Sequence, residues 1–418
     1  MNNDNKSSIF WASVNMFKGF IGIGVLSLPT AFSKSGYLCG TLLMLVCAFM
    51  IIYLSLQLIS FANKSIKHSK SLVQFCENTL AYVVFFTTYS NQIFCFFSCE
   101  SIFCTNRNIS LIVSIILVFP LIFIRNINKL KSLSMYSNIL VLTSLLIISI
   151  YCLKNLVSKN FKSEAVVFNV QNFGQSIGVF IFTFEGIGLY FEVRDSMQNP
   201  NQFNIVLKYS FGLALFLYWF IAFLGYLSFG NQLKDLIIFN LPVQSQPFLI
   251  FIQMFYCIAL LLSYPIQVLP LVNIAEEYLR EKLIKEQYGD KKELDIYMEQ
   301  RKYENEMDYD NNLSYYNQNI QLNEKDMKQL EFKGQIIRVM FMIVIFFTSF
   351  FINKVSNFIG LIGCICGIVL STVIPVLVCN ICIENISTFQ KNFNWFMMFL
   401  GIFFGLFGIY SSLQVLII

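Results

Sequence analysis

The residues able to do chemistry in this sequence gather in two short stretches, where glycines and a few ionisable side chains interrupt otherwise apolar runs. The first is WASVNMFKGFIGIGVLSLPTAF, residues 11–32, with Lys18 ahead of Gly19, Gly22 and Gly24, and Pro29 behind them. The second is GQSIGVFIFTFEGIGLYFEV, residues 174–193, with Glu185 beside Gly186 and Gly188. Each run is long enough to cross a bilayer, which takes about 20 apolar residues, yet each carries helix breakers at its centre. Backbone freed at that depth needs partners from protein or from a water-filled cavity. The freed backbone is therefore itself a set of ligands.

In the first stretch, Gly22 and Gly24 let the chain leave helical geometry at low steric cost. A half-helix starting near Val25 would then point free N–H groups and its positive end into the membrane centre, which suits a carboxylate. In the second stretch, a half-helix ending near Phe184 presents free carbonyls at its negative end, which suits an ammonium. Together they describe a pocket for a zwitterion. The competing reading is that the glycines only allow close helix packing. A pair of interrupted spans in matching positions of the two halves favours the pocket.

Ionisable residues inside spans are costly and usually functional. Lys18, one turn before the first break, either snorkels to the nearer interface or sets its ammonium where a cation would otherwise sit. Glu185 can accept a proton, brace the unwound loop, or cap the second half-helix. Glu192 lies near the cytosolic end and can face water. Tyr190, Phe182 and Phe184 can shape the pocket or simply pack. The only histidine, His68, lies in a basic loop, so the spans hold no histidine relay.

The elements that must position these groups are transmembrane helices. With 56% hydrophobic and 13% charged residues, against about 25% charge in ordinary globular chains, the composition excludes a soluble protein. The polar start, MNNDNKSSIF, does not read as a cleavable signal peptide. Eleven spans are expected, at 11–32, 37–60, 78–102, 109–124, 133–153, 174–193, 205–229, 246–275, 336–352, 357–380 and 393–417. Residues 1–10 form a tail, and 11–418 form one transmembrane domain. The basic loops holding Lys64, Lys67 and Lys70, and Arg125, Lys129 and Lys131, place the N-terminus in the cytosol. Lys154, Lys159 and Lys162 then lie outside, against that trend.

The loop at 276–334, between spans eight and nine, holds more than half of the 24 acidic residues, interleaved with basic ones. It cannot bury a core. It reads as cytosolic, either a site for a regulatory partner or an insert without function. Outside it, the acids in or near spans are Glu77, Glu100, Glu185 and Glu192. The net charge of +5 comes from short loops and implies no nucleic-acid partner. Most of the twelve cysteines, such as Cys47, Cys152 and Cys257, sit in apolar runs as small hydrophobes. Cys379 and Cys382 make a lone CxxC without a second pair, so no metal site is expected. No Ser/His or paired-Asp constellation lies in the spans, so no catalytic residue, cofactor or enzyme activity is expected.

The motif NMFKGFIGIGVLSLPTAF at 15–32 resembles the first-helix signature of the amino acid/auxin permease family, most closely its proton-coupled amino-acid transporter branch. FTFEGIG at 182–188 is similar to that branch's sixth-helix motif. MQNPNQF at 197–203 resembles the Met-x-x-Pro-x-x-Phe that follows it, and GYLSFGNQLKDLIIFNLP at 225–242 the end of the seventh helix and its loop. Leu133, Ser137 and Asn138 fit more loosely. The resemblance covers the chain from residue 11 onward, except 276–334. It implies an all-α polytopic membrane protein of the LeuT-type fold, with about eleven helices in an inverted five-plus-five repeat and broken helices 1 and 6.

It further implies alternating access, with the substrate carboxylate on the amides of Gly22, Ile23, Gly24 and Val25 and the amine on carbonyls around Phe182, Phe184, Glu185 and Gly186. Sodium-coupled relatives carry a polar residue in place of Lys18, which implies sodium independence. Two positions depart from the branch: Asn15 stands where several animal members have histidine, and Arg194 stands where an acid follows the sixth-helix glutamate.

The expected function is secondary active transport of small neutral amino acids, proton-coupled or facilitative, with Lys18, Asn15, Glu185 and Glu192 as coupling or gating residues. A sodium symporter, and an amino-acid sensor signalling through the 276–334 loop, are the alternatives. The expected location is the plasma membrane or a vacuolar or lysosomal membrane.

Overall fold

Two apolar helices broken in mid-span cannot face lipid at the break, and the chain buries the second half of the first and the first half of the second at its centre. The computed structural model describes residues 7–62, 127–158, 164–169, 173–242, 249–262, 331–340, 355–382 and 386–417, with a few single positions between them. The expected spans at 78–102 and 109–124, most of 336–352, and nearly all of the 276–334 loop lie outside those residues.

The principal helices are α1 (Ile9–Phe20), α2 (Gly24–Ser35), α3 (Tyr37–Ala62), α4 (Ile127–Ser158), α5 (Phe173–Phe184), α6 (Ile187–Asp195), α7 (Phe203–Phe229), α8 (Leu249–Leu262), α9 (Val355–Ile381) and α10 (Thr388–Ile417). No strand occurs among the described residues; the one extended pairing is a parallel bridge between Ser7 and Met197. Among the described residues five helical segments are long and apolar enough to cross a membrane: Tyr37–Ser60, Tyr136–Ser158, Pro200–Gln232, Val355–Ile381 and Thr388–Gln414. The first expected span is thus α1 and α2, and the sixth is α5 and α6, each interrupted where glycines crowd.

Every residue of α5 from Gly174 to Phe184 is buried, as is α2 from Gly24 to Phe32. A helix that is hydrophobic all round belongs in a core, and these two half-helices make it. The outer helices instead show an apolar face outward, as Leu42, Leu45 and Phe49 do on α3, Leu213 and Phe216 on α7, and Phe396, Phe399 and Phe403 on α10. Those faces suit lipid tails.

Without a hydrophobic force between helices in lipid, small residues that let backbones meet decide the packing. A Cβ at Gly178 of α5 would fall on the carbonyl oxygen of Gly360 of α9, and one at Gly363 would fall on the carbonyl oxygen of Gly178. On the other flank, a Cβ at Gly408 of α10 would come within 3.0 Å of the Gly174 carbonyl oxygen. Next to this crossing α9 widens into π-helical turns at Gly363–Gly367 and Val369–Val373, which shift its hydrogen-bond ladder and its facing residues. The proline of α2 is accommodated in the same way, since a Cβ on Gly225 of α7 would lie 2.8 Å from Pro29.

Where α3, α9 and α10 meet, a buried amide cluster ties them. Asn394 Nδ2 donates to Gln57 Oε1 and to Asn380 Oδ1, both at 2.8 Å. Its own Oδ1 accepts from Gln57 Nε2 at 2.9 Å and from Tyr53 Oη at 3.1 Å. Interhelical hydrogen bonds in membranes are worth about 1–2 kcal/mol at most. Asn394→Ala is therefore expected to lower stability by about 1–2 kcal/mol, read as an earlier melt of the detergent-solubilised protein.

Candidate functional site

The first break spans three residues, 21–23, between the end of α1 at Phe20 and the start of α2 at Gly24. That start is one residue earlier than the sequence pattern places it. Its freed backbone is bound from two other helices. Tyr218 Oη of α7 donates to the Phe20 carbonyl at 2.5 Å, and Tyr256 Oη of α8 donates to the Gly22 carbonyl at 3.0 Å. Both tyrosines are fully buried. A phenol buried in an apolar helix needs an acceptor, and an unwound carbonyl in a membrane needs a donor. Each meets the other's requirement. Sequence reading passed over both residues, because among 20 tyrosines no spacing marks these two.

The glycines of this break act through space rather than through left-handed backbone. Among the described residues only Gly36 and Gly230 take a positive φ, so the expectation that Gly22 and Gly24 serve by conformational freedom is corrected. A Cβ on Gly24 would lie 2.7 Å from Thr183 Oγ1 and 3.2 Å from the Phe182 ring. Gly24 is the contact that brings the N-terminal end of α2 against the C-terminal end of α5. A Cβ on Gly22 would meet nothing within 4 Å among the described residues, so on that side it borders open space. Ile23 and Val25 are buried, and Ile23 O accepts from Leu26 N at 3.1 Å.

The second break is Glu185 and Gly186, with Gly188 already inside α6. Glu185 is 7% exposed, and its Oε1 accepts from the Ile187 N–H at 3.2 Å. The carboxyl group thus caps the first turn of α6. Its second oxygen, Oε2, is buried and has no hydrogen-bond partner among the described residues. Gly186 faces Phe20, whose ring lies 2.7 Å from where a Cβ would be. The Phe184 side chain turns away into a ring cluster with Phe211 at 5.2 Å and Tyr218 at 5.3 Å; what it offers the break is its carbonyl.

Below the breaks, α1 and α6 lie against each other, Gly19 receiving Leu189. The chain ahead of α1 is clipped to the turn after α6. Ser7 N donates to Ser196 O at 2.8 Å, and Gln198 N donates to Ser7 O at 3.1 Å. The Met-x-x-Pro-x-x-Phe motif supplies this corner. Met197 is the bridged residue, Pro200 opens a 3-10 turn, and buried Phe203 starts α7 against Tyr190 at 6.3 Å. Lys18 lies in the last turn of α1 and Glu192 on α6, their side chains outside the described residues. Asn15 is exposed on α1, three residues from Lys18.

The structure therefore brings Gly22, Ile23, Gly24 and Val25 to the level of Phe182, Phe184, Glu185 and Gly186. A positive helix start and a negative helix end meet at Gly24 and Thr183, with open space beside Gly22. Such an arrangement can hold an anion and a cation of one small molecule in the bilayer interior.

A multi-pass helical membrane protein with two opposed helix breaks in its core is the architecture of a transport protein. The sequence profile described as "Transmembrane amino acid transporter protein" matches residues 5–418, and the chain belongs to that family, as the motifs of the two breaks led one to expect. The family is one of transporters rather than enzymes. Similar curated proteins include "Vacuolar amino acid transporter 4" of Saccharomyces cerevisiae, 33% identical over 62% of this chain and 39% of that protein. "Vacuolar amino acid transporter 3" of the same yeast is 30% identical over 66% of this chain and 42% of that protein. "Amino acid transporter ANT1" of Arabidopsis thaliana is 25% identical over 64% of this chain and 66% of that protein. The chain thus spans about two-fifths of the length of the yeast relatives it matches.

Proposed function

We propose that this protein is a secondary active transporter that moves small neutral amino acids across a membrane by alternating access, either coupled to protons or facilitative. The observation that carries the reading is the meeting of the two breaks at Gly24 and Thr183, which sets amide donors and carbonyl acceptors at one level of the core. The substrate carboxylate binds the N–H groups from Gly22 to Val25, and its ammonium binds carbonyls from Phe182 to Glu185. The side chain of the substrate extends into the space beside Gly22. The fold is of the LeuT type, about eleven helices in an inverted five-plus-five repeat, and the two halves of each broken helix tilt in turn. Lys18, Asn15 and Glu192, on the α1 and α6 halves, serve coupling or gating. The names of the yeast relatives support a vacuolar or lysosomal membrane, with the N-terminus in the cytosol and the 276–334 loop available to a cytosolic partner.

Labelled neutral amino acids, offered to proteoliposomes under separately imposed proton and sodium gradients, test this reading. Accumulation under the proton gradient, or equilibration without any gradient, is expected; absence of saturable flux for every amino acid would overturn it. Glu185→Gln tests proton carriage. The amide oxygen can still accept from Ile187 N–H, so the cap on α6 survives while the ionisable group is gone. Proton-driven accumulation is expected to fall to the equilibrium level, with exchange of labelled for unlabelled substrate retained. Undiminished uphill accumulation would remove Glu185 as the required proton carrier.

A further inference from the structure

Unwound backbone carbonyls at the broken helices of transporters are the natural ligands of a coupling cation, because they are oriented oxygens that no helix uses. At the first break of this protein most of those oxygens are already taken. From Phe20 to Ile23, three of the four carbonyls accept a protein hydrogen: Phe20 O from Tyr218, Gly22 O from Tyr256 and Ile23 O from the Leu26 amide. The two phenols come from separate helices, α7 and α8, so they also tether the unwound segment to its surroundings, as a bridging ion would. An O–H aimed at a carbonyl oxygen places a partial positive charge where a cation would otherwise sit, and holds it there covalently.

We infer that Tyr218 and Tyr256 stand in for a coupling cation at the first break, keeping α1 and α2 in register without sodium. They are positioning residues, acting on the substrate through the backbone they hold. The inference deepens the transport reading and rests on it for its meaning, but its chemistry concerns the break alone. Removing one phenol oxygen leaves an unpaired carbonyl oxygen in the membrane interior, which sodium can then satisfy. The variants Tyr218→Phe and Tyr256→Phe are thus expected to acquire a response to sodium that the natural protein lacks.

The test is thermal melting of the purified full chain in detergent, in sodium chloride and in choline chloride at equal ionic strength. The natural protein is expected to melt at the same temperature in both salts. Each Tyr→Phe variant is expected to melt earlier in choline and to regain about 2 °C or more in sodium, since a ligand that binds only the folded state raises its apparent stability. Folded variants with no sodium response would overturn the inference. So would a natural protein stabilised by sodium, an outcome that needs no variant to fold. Because melting does not require substrate, the two readings separate. Sodium-responsive variants alongside a natural protein that carries no amino acid would sink the transport reading and leave this one standing.

Discussion

Gly178→Ala is expected to yield little or no monodisperse protein, although it adds one methyl group to a helix in an apolar environment. The added carbon would fall on the Gly360 carbonyl oxygen, with the Cys364 sulfur 2.6 Å away. The obstacle is backbone, which cannot rotate aside as a side chain can. Relief requires moving α5 from α9, and Gly363 packs on the Gly178 carbonyl from the same side. Overpacking a tight core costs about 1–3 kcal/mol when side chains can yield; here the expected loss is at or beyond the top of that range. Size-exclusion profiles and melting curves of the solubilised protein check it. Gly212→Ala is the matched control, because a Cβ there meets nothing within 4 Å among the described residues and is expected to leave the profile unchanged. A Gly178→Ala protein that behaves like the control would show that the crossing of α5 and α9 is not as described.

Gly24→Val is expected to abolish transport while the protein still inserts and folds. The new branched side chain would press on Thr183 Oγ1 and the Phe182 ring, driving the start of α2 away from the end of α5. A displacement of about 1 Å between groups that must act together can cost about 100-fold in rate, so uptake at or below one-hundredth of normal is expected. Adding Thr183→Ala removes the nearest obstacle, the hydroxyl. Gly24→Ala combined with Thr183→Ala should therefore recover more uptake than Gly24→Ala alone, a coupling that only contacting residues produce. Gly22→Ala is expected to differ in kind, folding normally and raising KM more than it lowers the maximal rate, since its methyl enters the open space beside the site. Normal uptake by Gly24→Val would mean that the opposed helix ends are not where substrate binds.

Helix breaks were legible in the sequence because glycines crowd mid-span beside an ionisable side chain in both halves, and backbone freed at that depth must find partners. The residues that make the breaks tolerable were not. Tyr218 and Tyr256 lie 198 and 234 positions from the carbonyls they satisfy, inside helices whose composition offers no local hint. The cluster around Asn394 escaped notice for the same reason, as Gln57 is 337 positions away. Glu185 shows the intermediate case. Its place beside a break was plain, and three roles stood open; the bond from Ile187 N–H to its Oε1 is what places it as a cap, leaving the other oxygen for whatever chemistry the site performs.

By itself the sequence determined the family, the membrane setting, the all-helical class and the two points at which helices must break. The family follows from the motifs around the two breaks; the rest follows from composition and local periodicity, which act over about 20 residues. Only the tertiary structure decided what each glycine is for. Gly22 and Gly24 are two positions apart and chemically identical, yet one borders open space and the other is pressed against Thr183. Which side of a helix meets another helix, and how closely, is set by the packing of distant segments, and a missing side chain has no meaning until its neighbour is known.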